Sequence, residues 1–282
     1  MLASRLSSIS LSAYVPCYNN ASTISRALSS LNSQAISPCQ LFLVDDSSLD
    51  SSISVAESLG IDVVALPANL GRGAVRRIAV EYSSHEFILS CDATNYLPPD
   101  FTSKALAWFS DPQVAAVYGR FWQNSSHCVA DRWRGRHLFL MDDDLPPRHH
   151  ASLSTYGCLL RRAAVLQCGN FNPALRHSED ADLGQRLIAS GFDVIFDPSL
   201  FVYSGVVNTP FQVLERYWRW YAGANESISL LGYCKQIWYS LKVMIWKDLS
   251  AHDPQAALLS LACPHFQFWY PLSRRLAGKN QA

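Results

Sequence analysis

The amino-acid sequence predicts an α/β fold, with a mostly parallel sheet flanked by helices and a helical C-terminal extension. Two observations predict it. Short apolar runs alternate with helix-like segments through the first third of the chain, and this β-α-β-α alternation places parallel strands in one sheet with helices on both faces. After Pro210 the strand pattern stops, and the chain becomes helical and rich in aromatic residues.

The first four strands are predicted from apolar runs that end at polar residues. These runs are residues 9–15, 40–44, 61–66 and 87–91. The helices between them are predicted from apolar side chains at helical spacing, and they cover residues 21–34, 52–59 and 73–83. Gly60 directly follows the second helix, which is typical of a helix end.

The later elements are less regular. Helices are predicted over residues 100–110 and 182–190, and strands over 114–121 and 194–196. Residues 122–154 are predicted to be a polar loop, and residues 159–165 a structured piece of unassigned type. We therefore expect a catalytic domain over residues 1–225 and a helical extension over 226–282.

Composition excludes several classes of protein. The chain has 282 residues, of which 49% are hydrophobic and 16% charged, so a large core is expected and extended disorder is not. The formal net charge is zero, which argues against a nucleic-acid partner. Eight cysteines include no Cys-x-x-Cys pair, which favours buried free thiols over zinc ligands. No apolar run has the length of a signal peptide or a membrane span, and we expect a cytoplasmic protein.

Polar residues follow three of the predicted strands at the point where each strand ends. They are Tyr18, Asp46 and Asp92. In sheets of this kind, ligands bind beyond the carboxyl ends of the strands. Tyr18 offers an aromatic face to a nucleotide base, and Asp46 can accept a hydrogen bond from the N–H of a uracil-like ring. A single aspartate at a strand end can equally cap the next helix.

Five motifs occur in a fixed order: VPCYNN at 15–20, VDDSS at 44–48, NLGRGAVRR at 69–77, CDATN at 91–95 and HSEDADLGQRL at 177–187. Together they resemble the family-2 glycosyltransferases over residues 9–225. The resemblance implies the GT-A fold, which is Rossmann-like. It also implies inverting transfer of a sugar from a nucleoside-diphosphate sugar, with a UDP-linked donor favoured. The acceptor would be a hydroxyl of a glycan, a lipid-linked sugar or a protein.

The resemblance also implies a donor site. Its residues would be Pro16, Tyr18, Asp46, Arg72, Arg76, Asp92 and Ala93. Arginine suits a diphosphate because its guanidinium is always charged and binds bidentately. The alternative for Arg72, Arg76 and Arg77 is a solvated basic helix face.

CDATN departs from the family pattern. The family has D-x-D, whose second acid usually binds Mg²⁺ or Mn²⁺, and a later histidine often completes the site. Here Asp92 matches the first acid, but Thr94 and Ser204 stand at the other two positions. A hydroxyl is a poor substitute for a carboxylate toward a hard cation. The sequence therefore predicts at most a weak metal site, at Asp92.

Glu179 and Asp180 are the candidate catalytic pair. Inversion at an anomeric carbon needs a general base for the acceptor proton, and the resemblance implies that Asp180 is that base and that Glu179 positions the acceptor or a loop. The alternative is that both acids only stabilise a helix N-terminus.

The C-terminal third offers an aromatic and basic helix. The resemblance places Trp218 and Arg219 near the acceptor; packing of the aromatic stripe in a core is the compatible alternative. Further on, the segment from Lys235 to Lys247 interleaves apolar residues with lysines. It either packs on the catalytic domain or lies on anionic lipid, and we expect weak peripheral membrane contact.

Two other functions compete with the transferase. Thr94 and Ser204 motivate a non-catalytic subunit that binds nucleotide sugars. A sugar-phosphate nucleotidyltransferase shares the broad fold, but it needs a longer glycine-rich loop after the first strand. Residues 15–23, VPCYNNAST, contain no glycine, which argues against it.

Overall fold

A computed structural model describes residues 10–123, 128–221 and 229–279. Contacts divide the chain into two compact units. The first contains residues 1–122 and 144–206, and the second contains residues 123–143 and 207–282. The described residues 207–221 therefore group with the later helices. The boundary expected after residue 225 stays a prediction for the extent of the catalytic domain.

The first unit is built on one eight-stranded sheet. Its strands are β1 Leu11–Cys17, β2 Gln40–Asp45, β3 Asp62–Ala65, β4 Phe87–Cys91, β5 Asn95–Tyr96, β6 Val114–Trp122, β7 Gly157–Arg161 and β8 Asp193–Ser204. Their spatial order is β3-β2-β1-β4-β7-β6-β8-β5. Strands β1 to β4 pair in parallel, as do β6 and β8, while β7 and β5 run antiparallel to their neighbours. The predicted α/β class is confirmed.

The helices in chain order are α1 Ile24–Asn32, α2 Ser52–Ser58, α3 Arg72–Tyr82, α4 Phe101–Leu106, α5 Val129–Leu138, α6 Arg162–Gln167, α7 Glu179–Ala189, α8 Pro210–Tyr221, α9 Leu230–Tyr239, α10 Ile245–Ser250 and α11 Pro254–Lys279. A 3₁₀ turn, Ala107–Ser110, continues α4, and a π-helical turn, Ser240–Met244, joins α9 to α10.

Both faces of the sheet are buried. Alternate side chains of a strand point to opposite faces, so Ala13 and Val15 of β1 lie in one apolar cluster with α1, whereas Tyr14 lies in the other with α3. Burial on both faces explains why these strands appear in the sequence as nearly continuous apolar runs.

Two sequence predictions about the later elements were wrong. Residues 122–154 were predicted as loop, but they contain α5. Its helical pattern was hidden because Arg132 and Arg136 pair with acids far along the chain. The strand predicted at 194–196 is the twelve-residue β8. Its pattern was interrupted at Asp197, whose carboxylate accepts hydrogen bonds from Ser199 and from the Trp108 indole.

The second unit consists of α5 and α8 to α11 within the described residues. Its core contains Trp133, Val213, Tyr217 and Ala256. The Trp133 indole is fully buried and donates to Ser260 at 2.8 Å. Among the helices described, none is both long and apolar enough to cross a membrane.

Candidate active site

The loops that follow β1 and β2 interlock at the carboxyl edge of the sheet. The backbone N–H of Asn19 donates to Ser48 Oγ at 2.9 Å, and Leu49 N–H donates to Asn19 Oδ1 at 2.8 Å. Asn19 and Ser47 both adopt positive φ, at 54° and 64°. Tyr18 lies in the first of these loops with 46% of its surface exposed, so its ring is open to a ligand. Pro16 lies in β1 opposite Val44.

Asp46 supports the next loop along the edge. Its carboxylate accepts from Leu70 N–H at 2.7 Å and from Gly71 N–H at 2.9 Å, and its side chain is buried. Gly71 has φ +91°, which favours glycine because it has no Cβ. Asp46 therefore fixes the turn that starts α3, while the role expected for it toward a base stays a prediction.

Arg72 is the first residue of α3, and it is exposed. It forms no ion pair with any residue in the described ranges. A second cation, Arg176, hydrogen-bonds Asn69 of the same turn. Sequence reasoning missed Arg176 because it lies 107 positions from its partner. Arg77 instead pairs with Glu81 on the surface of α3.

Arg76 lies at the centre of a buried polar network. Its Nη2 donates to Asp92 Oδ1 at 2.7 Å and its Nε donates to Glu179 Oε1 at 3.0 Å. Its Nη1 donates to Tyr14 Oη at 3.2 Å and to Ser90 Oγ at 2.9 Å. Only 2% of Arg76 is exposed. These four bonds use four of the five donors of the guanidinium, so its first role is to hold these groups together.

The CDATN turn is held by a hydrogen bond and a strand pairing with the end of β8 and the residue that follows it. Ala93 is buried, and Thr94 C=O accepts from Gly205 N–H at 2.7 Å. Asn95 lies opposite Ser204 in the β5–β8 pair, and the Ser204 hydroxyl donates to its own segment at Val206 C=O.

The side chains at the expected metal-binding positions do not fit a Mg²⁺ or Mn²⁺ site. Asp92 is paired with Arg76, Thr94 offers only a hydroxyl, and the hydroxyl of Ser204 is used by its own backbone. Across the described ranges, no group of three or more His, Cys, Asp or Glu side chains is arranged to hold a metal ion. A hard dication prefers several carboxylate or carbonyl oxygens, and this turn offers one carboxylate that is already paired with Arg76.

Glu179 and Asp180 open α7. Glu179 is buried and paired with Arg76, whereas the Asp180 carboxylate accepts only from Ala181 N–H, at 2.9 Å, among the described contacts. Burial raises the pKa of Asp180, the neighbouring Glu179 carboxylate raises it further, and Arg76 opposes both. The preceding residue, Ser178, has φ +62°. This value lies in the left-handed region, which residues other than glycine seldom adopt. A carboxylate with a raised pKa is suited to accept a proton.

Trp218 and Arg219 lie in the second unit, on α8. Trp218 is 4% exposed, and its ring packs edge-to-face on Tyr270 at 5.3 Å. Arg219 lies 3.8 Å from Glu215 on the surface of the same helix. Trp218 is therefore packed in a core, which is compatible with the expected role, and contact with an acceptor stays a prediction for both Trp218 and Arg219.

Known proteins resemble this chain in sequence and in fold. The family model described as glycosyl transferase family 2 matches residues 12–169. The chain is 24% identical over 277 residues to an N-acetylglucosaminyltransferase of Mesorhizobium japonicum, covering 90% of this chain and 64% of that protein. It is 27% identical over 194 residues to a pre-mycofactocin glycosyltransferase of Mycobacterium tuberculosis, covering 65% of this chain and 40% of the relative. The chain thus spans less than two thirds of these relatives.

Solved structures share the fold. S. aureus TarS 1–349 superposes with a TM-score of 0.56 at 18% identity, covering 92% of this chain and 72% of that one. The mannosyltransferase PcManGT from Pyrobaculum calidifontis, solved with GDP-Man and Mn²⁺, gives a TM-score of 0.57 at 17% identity and covers 96% of this chain and 80% of that one. TarS 1–349 has also been solved with UDP-GlcNAc.

Proposed function

The chain belongs to glycosyl transferase family 2, and on this premise we propose that it transfers a sugar, with inversion, from a nucleoside-diphosphate sugar to an acceptor hydroxyl. One observation carries the proposal. Asp180, at the start of α7, combines a raised pKa with a carboxylate that no cation pairs within the described ranges. Through Glu179 and Arg76, its helix is tied to Asp92 at the carboxyl edge of the sheet.

The proposed reaction is a single displacement at the anomeric carbon of the donor sugar. Asp180 takes the proton of the acceptor hydroxyl, and the acceptor oxygen forms a bond to the anomeric carbon. The bond from that carbon to the diphosphate breaks, and its electron pair leaves with the nucleoside diphosphate. Attack opposite the leaving group inverts the anomeric centre.

We propose a UDP-linked donor. Tyr18 would stack on the base, and Asp46 would face its edge, next to Pro16. Support comes from the TarS structure with UDP-GlcNAc and from the relative named an N-acetylglucosaminyltransferase. The GDP-Man complex of PcManGT supplies the competing base, guanine. The acceptor class and a cytoplasmic location stay predictions.

The leaving diphosphate gains negative charge, and preorganised cations stabilise such charge. Arg72 suits this role because it is exposed at the first turn of α3, where the helix N-terminus also favours an anion. Arg76 would act indirectly, by holding Asp92 and Glu179. The side chain of Ala93 is buried in an apolar cluster, so this residue would offer only backbone atoms to a donor.

Turnover of Asp180→Asn tests the proposal. We expect transfer to be abolished while donor affinity, measured by calorimetry with UDP and UDP-GlcNAc, stays within a few fold. Asp182→Asn is the matched control, because Asp182 lies on the same helix and pairs with Arg186 on the surface. Near-normal transfer by Asp180→Asn would exclude this residue as the base.

The competing function is a subunit that binds nucleotide sugars without turnover, and Thr94 and Ser204 motivate it. The same calorimetry separates the two. Donor binding by the wild-type protein, with no transfer to any acceptor in a screen of glycans and lipid-linked sugars, would support the binding subunit.

A further inference from the structure

The helical segment from Leu230 to Ser250 exposes an apolar stripe with lysines in it. Trp238 is 64% exposed and Trp246 is 63% exposed, and Leu249 is also exposed. Lys235 and Lys242 lie at matching helical spacing, three or four residues from the neighbouring members. We call residues 235, 238, 242, 246 and 249 the lysine–tryptophan stripe. Ser240 and Met244 of the π-helical turn are buried, so this segment has distinct inner and outer sides.

The charge of the stripe has one sign. Lys235 and Lys242 are exposed and form no ion pair within the described ranges. The only acid between positions 230 and 250 is Asp248. It is fully buried, where it pairs with Arg136 and His137. Lys247 donates to Asp143 at 2.6 Å and lies outside the stripe. The outer side therefore presents cations and indoles without an acid.

The exposure of two indole rings to water is unfavourable. It indicates that a surface of complementary chemistry covers them. A second copy of the same face is a poor partner, because a two-fold contact would set lysines against lysines. A bilayer with anionic headgroups suits both parts of the stripe. Tryptophan prefers the boundary between headgroups and acyl chains, and lysine stems extend their ammonium groups to the phosphates.

A cavity in the second unit adjoins the stripe. Its volume is about 310 Å³, and its lining includes Lys235, Gln236 and Tyr239 of α9 together with His137, Tyr217 and Met244. Lysine, glutamine and tyrosine all carry donors for a phosphate oxygen. The stripe and the cavity share Lys235, so one anionic headgroup can contact both.

We propose that the lysine–tryptophan stripe docks the second unit on an anionic lipid surface, with Trp238 and Trp246 at the acyl boundary and Lys235 and Lys242 on headgroup phosphates. This contact does not depend on glycosyl transfer. It identifies the surface for the peripheral contact that the sequence predicts.

Co-sedimentation of the full chain tests the proposal. The vesicles are phosphatidylcholine alone and an equimolar mixture of phosphatidylcholine and phosphatidylglycerol. We expect binding to the mixture that weakens as salt is added. Each lysine near such a surface contributes about fivefold to partitioning. Lys235→Gln with Lys242→Gln should therefore reduce binding by about 25-fold, and Trp238→Ser with Trp246→Ser should reduce it on both vesicle types.

Leu166→Ser with Lys104→Gln is the matched control. It removes one exposed apolar side chain and one exposed lysine from the first unit, and we expect it to bind vesicles as the wild type does. Equal binding by wild type and by both stripe variants would overturn the proposal. So would a wild-type dimer, seen by sedimentation, that the tryptophan variant dissociates, because the stripe would then be a contact between copies.

A second measurement needs no stripe variant. Brominated phosphatidylglycerol in the vesicles should quench tryptophan fluorescence of the wild-type protein, because Trp238 and Trp246 would lie at the acyl boundary. Bound protein without quenching would overturn the proposal. Donor affinity measured in the same samples separates the two proposals: a stripe variant that loses vesicles but keeps UDP-GlcNAc affinity leaves the donor site unaffected.

Discussion

Nε of Arg76 lies 3.0 Å from Oε1 of Glu179, although 103 positions separate the two residues in the chain. The same guanidinium holds Asp92 at 2.7 Å. One side chain on α3 therefore joins the turn after β4 to the first residue of α7. Because both carboxylates depend on it, Arg76 fixes the position of the helix that carries Asp180.

Removing this cation should destabilise the first unit. Arg76→Met leaves buried Glu179 without its partner, and breaking a buried ion pair costs about 3–5 kcal/mol. Arg76→Lys should lose less, because an ammonium can still pair with one carboxylate. Urea unfolding followed by circular dichroism measures both. The neighbouring Arg77→Met removes only exposed contacts, an ion pair with Glu81 and a hydrogen bond to the C=O of Gly169. It should change stability by about 0–1 kcal/mol. Equal losses at 76 and 77 would contradict the network.

The sequence could predict the edge of the sheet but not this network. Tyr18, Asp46 and Asp92 follow strands that pair in parallel, so strand order alone brings them to one edge. Tyr14 and Ser90 lie inside apolar runs, and the sequence predicts only that they belong to strands. Their contact with Arg76 depends on which face of the sheet each one points to. Asp46 illustrates the same limit, because its two backbone partners are 24 and 25 positions away.

Asp180→Asn should not destabilise the protein at neutral pH. Burial and Glu179 raise the pKa of Asp180 in the folded chain. A raised carboxyl pKa means that protonation stabilises the fold below the unfolded pKa, and this contribution is lost as pH rises through the folded value. At neutral pH the ionised group therefore opposes folding, and the amide removes that opposition. Thermal melts should give the variant an equal or higher midpoint, with the advantage shrinking in acid.

The same shift governs the pH dependence of transfer. Asp180 acts as a base only when ionised, so activity should rise with pH along a limb whose midpoint lies above the ordinary value for an aspartate. Glu179→Gln removes the neighbouring charge and should move that limb to lower pH, provided that melts show the variant to be folded. A limb that stays in place would exclude Asp180 as the titrating group.

The base pocket should separate binding from folding. Tyr18→Ala should weaken UDP binding by about 1–3 kcal/mol through lost stacking, with little effect on stability because the ring is half-exposed. Asp46→Ala should also destabilise the fold, because Leu70 and Gly71 lose their acceptor. The N–H of Gly71 is buried, and leaving it without a partner costs about 1–3 kcal/mol. Calorimetry and urea unfolding measure the two effects. Unchanged UDP affinity in both folded variants would place the donor elsewhere.

Acid should destabilise the second unit through Asp248. Burial alone would raise the pKa of this carboxyl, but hydrogen bonds from His137, Ser260 and Arg136 hold the pKa below its usual value. Its contribution to stability is therefore present above the unfolded pKa and is lost as pH falls through the folded one. Asp248→Asn should cost about 3–5 kcal/mol at neutral pH, and its stability should vary less with acid than that of the wild type. A parallel acid dependence in both proteins would contradict the prediction.

Metal should matter less here than in a transferase with a complete D-x-D motif. Asp92 is held by Arg76, and Thr94 supplies no carboxylate. The wild-type enzyme should therefore retain transfer in the presence of a chelator, with a loss below about tenfold, or about 1.4 kcal/mol in the barrier. Thr94→Asp should restore the second acid and make transfer respond to added Mn²⁺. Ser103→Asp, at a partly exposed position of α4, serves as the charge control. Arg72→Gln should reduce chelator-resistant transfer if this cation stabilises the leaving diphosphate.

Two outcomes would contradict this prediction. Wild-type transfer that a chelator abolishes would show that a ligand other than Thr94 completes a metal site. An inactive wild type that Thr94→Asp rescues in the presence of Mn²⁺ would favour the binding subunit.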